Sequence, residues 1–252
     1  MKIVVISLKD SKERRVSVEK MFSDIDIAFS FFDAINISSQ QANSQVNYDY
    51  KKTLKTKGYK LTNPEIGCFE SHRKVWQLCV KLNEPILVFE DNFEVCCRLD
   101  PYIQFALNNI DFLGVIKFSS IFTSVKFTEL IAINTKTKLV KYNKKSSGTS
   151  CYMISPKVAE HFLCMSKKYY LPVDDFMEME FYTKTPLFSF YPNVINRSST
   201  KSTIGQRKVK QRARFQDKIF IEYNRIYCQL LKKVFNIAFR YKKLEVINNV
   251  KI

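Results

Sequence analysis

The feature that most constrains the fold is a helix signal followed closely by a fully apolar run. Thr62 and Glu65 have the spacing of a capping box and Pro64 suits a first turn, which predicts a helix that ends near residue 82. Residues 86–89 are all apolar and predict a buried strand. A helix that leads directly into a buried strand is the basic unit of an α/β fold.

The rest of the chain continues this alternation. Further strands are predicted at short apolar runs, at residues 3–8, 27–32, 113–118, 150–154 and 187–191. Helices are predicted to start at Ser11, at Asp100-Pro101 and at Ser155-Pro156, because these residues suit a helix start. Residues 36–60 are polar and predict a long loop with weak helical character, and residues 193–205 predict a second polar loop. We therefore expect an α/β protein with a sheet flanked by helices.

Composition limits the classes of function. Neither a G-x-x-x-x-G-K nor a G-x-G-x-x-G motif occurs among the five glycines, which counts against a P-loop and a dinucleotide fold. The seven cysteines are odd in number and include no C-x-x-C, so we expect buried free thiols in a reducing cytosol. No apolar run suits a signal peptide or a membrane span, which predicts a cytosolic or peripheral protein.

The formal charge of +17 predicts a polyanionic partner, which could be nucleic acid, an anionic membrane surface or a phosphorylated substrate. Residues 206–252 contain 13 Lys and Arg against three acidic residues, and so carry +10 of that charge. We therefore divide the chain into a main domain, residues 1–205, and a basic tail, residues 206–252.

The tail has the pattern of a long amphipathic helix. Its apolar stripe consists of Phe215, Ile219, Tyr223, Ile226, Leu230, Val234, Ile237, Tyr241 and Leu244. The stripe could enter an anionic membrane interface, or it could dock on the main domain. We expect a mixture, in which part of the stripe packs on the main domain and the basic rim meets the membrane. No nucleic-acid-binding module is recognisable, so we expect no specific nucleic acid partner.

Glu90, Asp91 and Asn92 are the leading candidates for chemistry. They follow the most apolar strand, and in open α/β sheets ligands bind beyond the carboxyl ends of strands. Carboxylates so placed can hold a divalent cation against a diphosphate, where the cation offsets the charge of a leaving group. An isolated acidic triplet is more commonly a solvated turn, so the interpretation depends on its sequence context.

That context consists of six ordered segments: Val5-Ile-Ser-Leu-Lys-Asp-Ser-Lys-Glu-Arg-Arg15, Phe31-Phe-Asp-Ala34, Leu61-Thr-Asn-Pro-Glu-Ile-Gly-Cys-Phe-Glu-Ser-His-Arg-Lys-Val-Trp76, Pro85-Ile-Leu-Val-Phe-Glu-Asp-Asn92, Gly148-Thr-Ser-Cys-Tyr-Met-Ile-Ser155 and Leu171-Pro-Val-Asp-Asp-Phe-Met177. Together they resemble glycosyltransferase family 25, the lipopolysaccharide and collagen glycosyltransferase group, over roughly residues 1–205. The resemblance implies a GT-A-like mixed sheet. It also implies inverting transfer of galactose or glucose from a UDP-sugar to a lipo-oligosaccharide or lipopolysaccharide acceptor, at the inner face of a bacterial membrane.

The resemblance also implies roles for individual residues. The nucleotide-sugar-binding set is Ser7, Leu8, Arg14, Asp33, His72, Glu90, Asp91, Gly148 and Thr149. Asp91 and Asn92 would hold a divalent cation, Mn²⁺ or Mg²⁺. Asp174 would take the proton of the acceptor hydroxyl, with Asp175 as the alternative base. On spacing alone His72 is explained as a core histidine, and the resemblance makes a site role an equal alternative. Trp76 is predicted to lie in the core.

Asn92 departs from the family, which has a third acidic residue at this position. A neutral amide is a poorer ligand for a hard divalent cation than a carboxylate. Metal affinity could be weakened, Glu90 and Asp91 could carry the metal alone, or basic residues such as Arg14 and Lys201 could stabilise the diphosphate instead. The chain could also be a catalytically impaired relative that binds without catalysing.

Overall fold

The computed structural model describes residues 1–37, 47–198 and 215–251. Its strands are β1 Lys2–Ser7, β2 Ser30–Asp33, β3 Ile86–Glu90, β4 Phe93–Val95, β5 Val115–Lys117, β6 Phe127–Ala132, β7 Lys138–Tyr142, β8 Cys151–Ile154, β9 Phe188–Tyr191 and β10 Ile195–Arg197. Its helices are α1 Lys12–Ser23, α2 Tyr50–Lys57, α3 Asn63–Leu82, α4 Asp100–Leu113, α5 Pro156–Met165, α6 Val173–Met177, α7 Glu180–Thr183 and α8 Phe215–Asn249. The α/β class and the C-terminal helix are confirmed.

The main sheet is mixed, with the strand order β2-β1-β3-β8-β5-β9-β7-β6. β2, β1 and β3 are parallel, and their register pairs Ser7 with Asp33 and Ile6 with Glu90. β8 runs antiparallel to β3, so the segment that precedes it arrives at the edge where β1, β2 and β3 end. This single edge therefore collects residues from four strands that are distant in sequence.

α3 forms for the reason the sequence indicated. The Thr62 backbone N–H donates to Glu65 Oε2 at 2.9 Å, and the Glu65 N–H donates to Thr62 Oγ1 at 3.4 Å, which completes the capping box. The helix lies very close to the segment after β2, because a Cβ at Gly67 would be 2.4 Å from the carbonyl oxygen of Ile35. Only glycine fits this contact without a shift of the backbone.

Hydrophobic clusters cover both faces of the sheet. Successive residues of β3 point to opposite faces, as the two-residue period of a strand requires. Leu87 and Phe89 join a cluster with residues of α1 and α4, whereas Ile86 and Val88 join a cluster with residues of α3 and α5. Both faces of β3 are buried, which explains why its sequence is continuously apolar.

Several local expectations are corrected. Within the predicted loop of residues 36–60, residues 38–46 lie outside the described part, and residues 50–57 form α2. Asp49 caps this helix by accepting a hydrogen bond from the Lys52 N–H at 3.0 Å. In the second predicted loop, β10 pairs antiparallel with β4.

The cysteines are free thiols, as expected, but their burial was predicted wrongly. Cys79 and Cys151 are buried, whereas Cys96, Cys97 and Cys164 are exposed. The two adjacent cysteines lie in the loop that follows β4, where side chains reach solvent.

The orientation of α8 differs from the expectation. The predicted stripe, from Ile219 onward, faces solvent: Ile219, Tyr223, Ile226, Leu230, Val234, Ile237, Tyr241 and Leu244 are between 48% and 85% exposed. The face that packs on the rest of the chain contains Phe239 and Val246, which are buried. Sequence periodicity did not predict which face of α8 is buried, because α8 has apolar residues on two faces. The inner face also contains polar residues that pair with buried partners.

Those polar residues attach α8 to the main sheet. Lys232 Nζ lies 3.6 Å from Glu180 Oε2, and Asn236 Oδ1 accepts a hydrogen bond from Lys141 Nζ at 2.7 Å. Lys141 also forms a buried ion pair with Glu180 at 3.0 Å. Among the described helices, none is long and apolar enough to cross a bilayer. The predicted domain boundary, between residues 205 and 206, lies outside the described residues. So does Lys201, the predicted diphosphate ligand, and both stay predictions.

Candidate active site

Two adjoining clefts open where β1, β2 and β3 end. The β1–β3 cleft has a volume of about 220 Å³, and the predicted site residues that line it are Ser7, Leu8, Arg14, His72, Glu90, Asp91 and Asn92. The α6 cleft has a volume of about 320 Å³, and its lining includes Glu90, Gly148, Thr149, Asp174 and Asp175. Cys68 and Glu90 line both clefts. Asp33 is the one predicted site residue that lines neither.

Asp91 is held at the floor of the β1–β3 cleft by two partners. Ser7 Oγ donates a hydrogen bond to Asp91 Oδ2 at 2.8 Å, and Arg14 Nη1 donates to Asp91 Oδ1 at 3.0 Å. Ser7 ends β1 and Arg14 lies in the first turn of α1, so one strand-to-helix connection supplies both donors. Each carboxylate oxygen keeps a further lone pair for a ligand.

Asn92 Oδ1 is buried and has no hydrogen-bond partner among the described residues. A buried acceptor without a partner carries a desolvation cost of about 1–3 kcal/mol, which a ligand can remove. Asn92 lines the same cleft as Asp91, and the amide oxygen and carboxylate of this pair are hard oxygen donors of the kind that divalent cations prefer. These residues therefore fit a divalent cation.

Asp33, which was predicted to bind the nucleotide sugar, lies at the end of β2 and pairs with a neighbouring arginine. Its carboxylate forms an ion pair with Arg15, whose Nη2 also donates to the carbonyl oxygen of Ser7 at 2.9 Å. The Arg15 guanidinium lies over the ring of Phe31, 4.7 Å from its centroid. Arg15 thus joins the ends of β1 and β2 beside the cleft. The sequence analysis named only its neighbour Arg14 as a candidate site residue.

Glu90 occupies the wall between the clefts. Its Oε1 accepts a hydrogen bond from Thr149 Oγ1 at 2.5 Å and lies 3.5 Å from Nε2 of the buried His72. Burial raises the pKa of the Glu90 carboxyl, but its contacts with His72 and Thr149 together lower the pKa by more than burial raises it. The pKa of Glu90 therefore lies below its usual range. Glu90 is therefore an ionised carboxylate at neutral pH.

His72 is a core residue that also lines the β1–β3 cleft. Its ring is fully buried, and its Nδ1 lies 2.8 Å from the hydroxyl of Tyr152. The same hydroxyl accepts a hydrogen bond from Trp76 Nε1 at 2.9 Å. Trp76 is buried as predicted, and this hydrogen bond satisfies its polar atom.

The two aspartates of the α6 cleft differ in their surroundings. Asp175 forms ion pairs with Lys57, at 3.0 Å, and with Lys145. Asp174 lines the same cleft, and its Oδ1 accepts a hydrogen bond from the Asp175 N–H at 2.9 Å. Burial lowers the pKa of both lysines, and Asp174 offsets part of this effect. Asp175 is therefore paired directly with two cations, whereas Asp174 interacts with the same lysines at longer range and its Oδ2 has no hydrogen bond from the described residues.

Comparison with known proteins decides the family. Residues 1–177 match glycosyltransferase family 25, described as an LPS biosynthesis protein. This chain belongs to glycosyltransferase family 25. The resemblance drawn from the six sequence segments is thereby confirmed.

Two curated relatives come from Haemophilus influenzae. The lipooligosaccharide biosynthesis protein lic2B is 27% identical over 183 residues, which cover 68% of this chain and 66% of the relative. The lipooligosaccharide biosynthesis protein lex-1 is 24% identical over 219 residues, which cover 70% of this chain and 67% of the relative. The matches thus leave about a third of each relative without a counterpart.

Among solved structures, Drosophila β-1,4-galactosyltransferase 7 in complex with manganese, UDP-Gal and xylobiose is 8% identical. The similarity covers 87% of this chain and 78% of that one, with a TM-score of 0.43. The overall likeness is loose, so the site of this family 25 member has to be interpreted from its own residues.

Several residues in and around the two clefts were not predicted from sequence. They are Lys57, Cys68, Lys145, Tyr152 and Arg197, all of which line a cleft or contact a residue that does. Cys68 stands within the motif on α3, so its position on the stripe of His72 was a usable signal. The others come from segments whose approach to the site depends on the folded topology, and no local pattern marks them.

Proposed function

We propose that this family 25 member is an inverting hexosyltransferase that moves galactose or glucose from a UDP-sugar to a lipo-oligosaccharide or lipopolysaccharide acceptor. One observation carries the proposal: two clefts adjoin at the carboxyl edge of the sheet, one lined by Asp91 and Asn92 and the other by Asp174 and Asp175. A donor and an acceptor must bind side by side for a direct transfer. The names of the lic2B and lex-1 proteins support the acceptor class.

The donor would bind in the β1–β3 cleft. Ser7, Leu8 and Arg14 line it on the nucleotide side, and Asp91 and Asn92 would hold a divalent cation, Mn²⁺ or Mg²⁺. When bound, such a cation supplies Lewis-acid stabilisation of the charge on a leaving nucleoside diphosphate. The Arg14 guanidinium adds a fixed positive charge on the same side, where it can pair with phosphate oxygens.

The acceptor would bind in the α6 cleft, where Asp174 is the proposed general base. An inverting transfer needs one group that takes the proton of the attacking hydroxyl. Lys57 and Lys145 neutralise Asp175, the alternative base, so its lone pairs are engaged. Gly148 and Thr149 also line this cleft and would contact the sugar.

A nucleotide panel tests the donor class. We expect UDP and UDP-hexoses to raise the melting temperature of the full chain in the presence of Mn²⁺, and GDP- and CMP-sugars to leave it unchanged. Stabilisation by a different nucleotide class would replace UDP in the proposal. If no nucleotide in the panel stabilised the protein, the result would contradict hexose transfer and favour a binding protein that has lost activity.

Asn92→Asp is expected to lower the Mn²⁺ concentration needed for half-maximal donor hydrolysis, by about tenfold, because a carboxylate is a stronger ligand than an amide. The measurement is a Mn²⁺ titration of both proteins at saturating UDP-sugar. Asn108→Asp, which adds the same charge on the exposed face of α4, is the control and should match the parent chain. Identical titrations of the parent and Asn92→Asp would show that residue 92 does not contact the metal.

We further propose that α8 attaches the protein to the cytoplasmic face of an anionic membrane. Its exposed stripe is flanked by exposed cations, Lys218, Arg225, Lys233, Arg240 and Lys242. The stripe advances 22 residues in six steps from Ile219 to Tyr241. The average spacing between successive residues of the stripe is therefore close to the period of a straight helix and longer than the 3.5 residues of a coiled-coil seam. A straight apolar stripe with basic edges suits a flat anionic interface.

Leu230→Glu is expected to weaken binding to vesicles that contain anionic lipid, by about tenfold or more, because one large apolar contact with the interface is lost. The matched control is Gln229→Glu, which adds the same charge at an exposed position beside the stripe. Flotation of the full chain measures the effect, and neither site contributes to the core. Equal flotation of both variants, or no flotation of the parent chain, would refute the membrane role.

A further inference from the structure

The inner face of α8 contacts two elements that line the α6 cleft. One is the segment of residues 143–149, which contains Lys145, and the other is α2, which ends in Lys57. These two lysines are the partners of Asp175. α8 lies outside residues 1–177, the part of the chain that matches family 25, so its contacts with the cleft are additional to that match.

Asn236 of α8 holds the start of the segment. Its Nδ2 donates a hydrogen bond to the carbonyl oxygen of Asn143 at 2.8 Å, and its Oδ1 accepts one from Lys141 Nζ at 2.7 Å. One amide therefore binds both strand β7 and the backbone two residues before Lys145. Because a single side chain of α8 makes both hydrogen bonds, a displacement of the helix would also displace the segment.

A buried ion cluster holds the segment on the other side of Lys145. Glu178 accepts hydrogen bonds from the Ser146 N–H at 2.9 Å and from Ser146 Oγ at 3.0 Å. Lys232 of α8 lies 4.0 Å from Glu178 Oε2 and 3.6 Å from Glu180 Oε2. Glu178 directly follows α6, so one carboxylate connects α8, the segment and the helix that carries the two aspartates of the cleft.

The segment depends on these contacts because its backbone is strained. Ser147 has a φ of 53° and Gly148 a φ of 85°. For a residue other than glycine this left-handed conformation costs about 1–3 kcal/mol, and it persists only where the surrounding structure determines it. Lys117 Nζ adds a further contact by donating to the carbonyl oxygen of Ser147 at 2.7 Å. The conformation that brings Lys145 to the cleft is therefore imposed by its neighbours.

α2 packs against the N-terminal half of α8. A Cβ at Gly58 would be 2.8 Å from Ile221 Cδ1, so the end of α2 is in close contact with this helix. Lys55 Nζ lies 4.6 Å from the centroid of the Phe220 ring. Lys57 lies between these two points of contact in the chain, and α8 therefore also fixes the position of Lys57 in the α6 cleft.

We propose that α8 is a positioning element of the α6 cleft, and that its inner face holds Lys57 and Lys145 against Asp175. Asp174 is thereby left as the base. This inference rests on the proposed function and adds the C-terminal helix to the acceptor site. If Lys145 moved away, the two adjacent carboxylates would lose a compensating cation, and the base would no longer differ in this way from its neighbour.

Asn236→Asp tests this role without detaching the helix. The new carboxylate can still accept from Lys141, and it adds a negative charge to a described cluster of three lysines and two glutamates. It cannot donate to the carbonyl oxygen of Asn143. We expect the melting temperature and the affinity for UDP to be retained. The value of kcat/KM for the acceptor should fall by about tenfold, because the cleft is no longer aligned with the donor.

Hydrogen exchange reports on the segment independently of catalysis. In the parent chain Glu178 protects the N–H of Ser146. In Asn236→Asp the amides of residues 143–149 should exchange about tenfold faster, because local opening of the segment costs less. The matched control is Asn248→Asp, which makes the same change at an exposed position of α8. It should leave exchange, UDP affinity and acceptor kinetics as in the parent chain.

The contact with α2 is tested separately. Ile221→Ala removes the side chain that touches Gly58, so we expect faster exchange in residues 50–57 and a lower kcat/KM for the acceptor, with UDP affinity retained. Ile219→Ala makes the same change at a solvent-exposed position of α8 and should have neither effect.

The outcomes separate this inference from the proposed function. Parent-like exchange and acceptor kinetics in both Asn236→Asp and Ile221→Ala would overturn the positioning role of α8. Losses of UDP affinity as large as the losses of acceptor kcat/KM would also overturn it, since they indicate a general loss of structure. Faster exchange in the variants of a parent chain that binds UDP but transfers no hexose would support the positioning and contradict the proposed function.

Discussion

Asp174→Asn is expected to reduce the rate of hexose transfer by about 10²-fold to 10⁴-fold, the usual contribution of a general base. The amide preserves the shape of the side chain and keeps an oxygen that can accept from the Asp175 N–H, so the fold should be unaffected. Affinity for UDP should also be unchanged, because Asp174 lines the α6 cleft and not the β1–β3 cleft. Initial rates of UDP release with acceptor present measure the effect.

A control shows whether the loss is specific to the site. Asp100→Asn makes the same chemical change at an exposed position in the first turn of α4, where the carboxylate pairs with Arg98. This variant should retain the full transfer rate. Full activity in Asp174→Asn as well would exclude Asp174 as the base and require another carboxylate of the α6 cleft.

Glu178→Gln is expected to lower the free energy of unfolding at neutral pH by about 3–5 kcal/mol, because it removes one partner of a buried ion pair. Lys117 Nζ lies 3.0 Å from Glu178 Oε1, and the two side chains are 3% and 6% exposed. Glu178 also accepts hydrogen bonds from the N–H and Oγ of Ser146. The variant would thus leave a buried lysine charge uncompensated and release the segment that leads to Gly148 and Thr149.

The effect should depend on pH in a defined direction. Burial raises the pKa of the Glu178 carboxyl, but the charges of Lys117 and Lys232 lower it more, so its folded pKa lies below the unfolded value. Its stabilising contribution is therefore present above the unfolded pKa and is lost as pH falls through the folded pKa. Urea unfolding at several pH values should show the difference between parent and Glu178→Gln shrinking in acid.

The matched control for this prediction is Glu129→Gln. Glu129 pairs with Lys138 at 2.7 Å, but both side chains are largely solvated. Such a surface pair contributes about 0–1 kcal/mol, so the control should unfold almost like the parent chain. An equally small loss in Glu178→Gln would mean that Lys117 is adequately solvated without its partner.

Local signals in the sequence were sufficient for much of the fold. The Thr62 and Glu65 capping box, Pro64 and the apolar run of β3 each specify structure through near neighbours, and each was interpreted correctly. The position of Glu90, Asp91 and Asn92 at the edge of the sheet could be predicted because parallel strands bring their carboxyl ends to one edge. Ser7, Arg14 and Asp91 were expected near one another, and the structure brings them into direct contact.

Long-range pairing could not be inferred in the same way. Lys117 and Glu178 are separated by 61 residues, and nothing in either neighbourhood marks the other as a partner. The prediction of which face of α8 packs on the main domain failed for a related reason. In the sequence Lys232 has the character of a solvated residue, and only the fold brings Glu180 beside it. The ion pair between Asp33 and Arg15, which are 18 residues apart, was not predicted for the same reason.

The decisive measurement for hexose transfer is acceptor-dependent UDP release. The full chain would be incubated with Mn²⁺ and UDP-galactose or UDP-glucose, with and without a truncated lipo-oligosaccharide acceptor, and the product would be analysed by mass spectrometry and by the anomeric configuration of the new bond. We expect faster UDP release with acceptor, a product heavier by one hexose and inversion at the anomeric carbon. Binding of UDP without any acceptor-dependent release or product would contradict it.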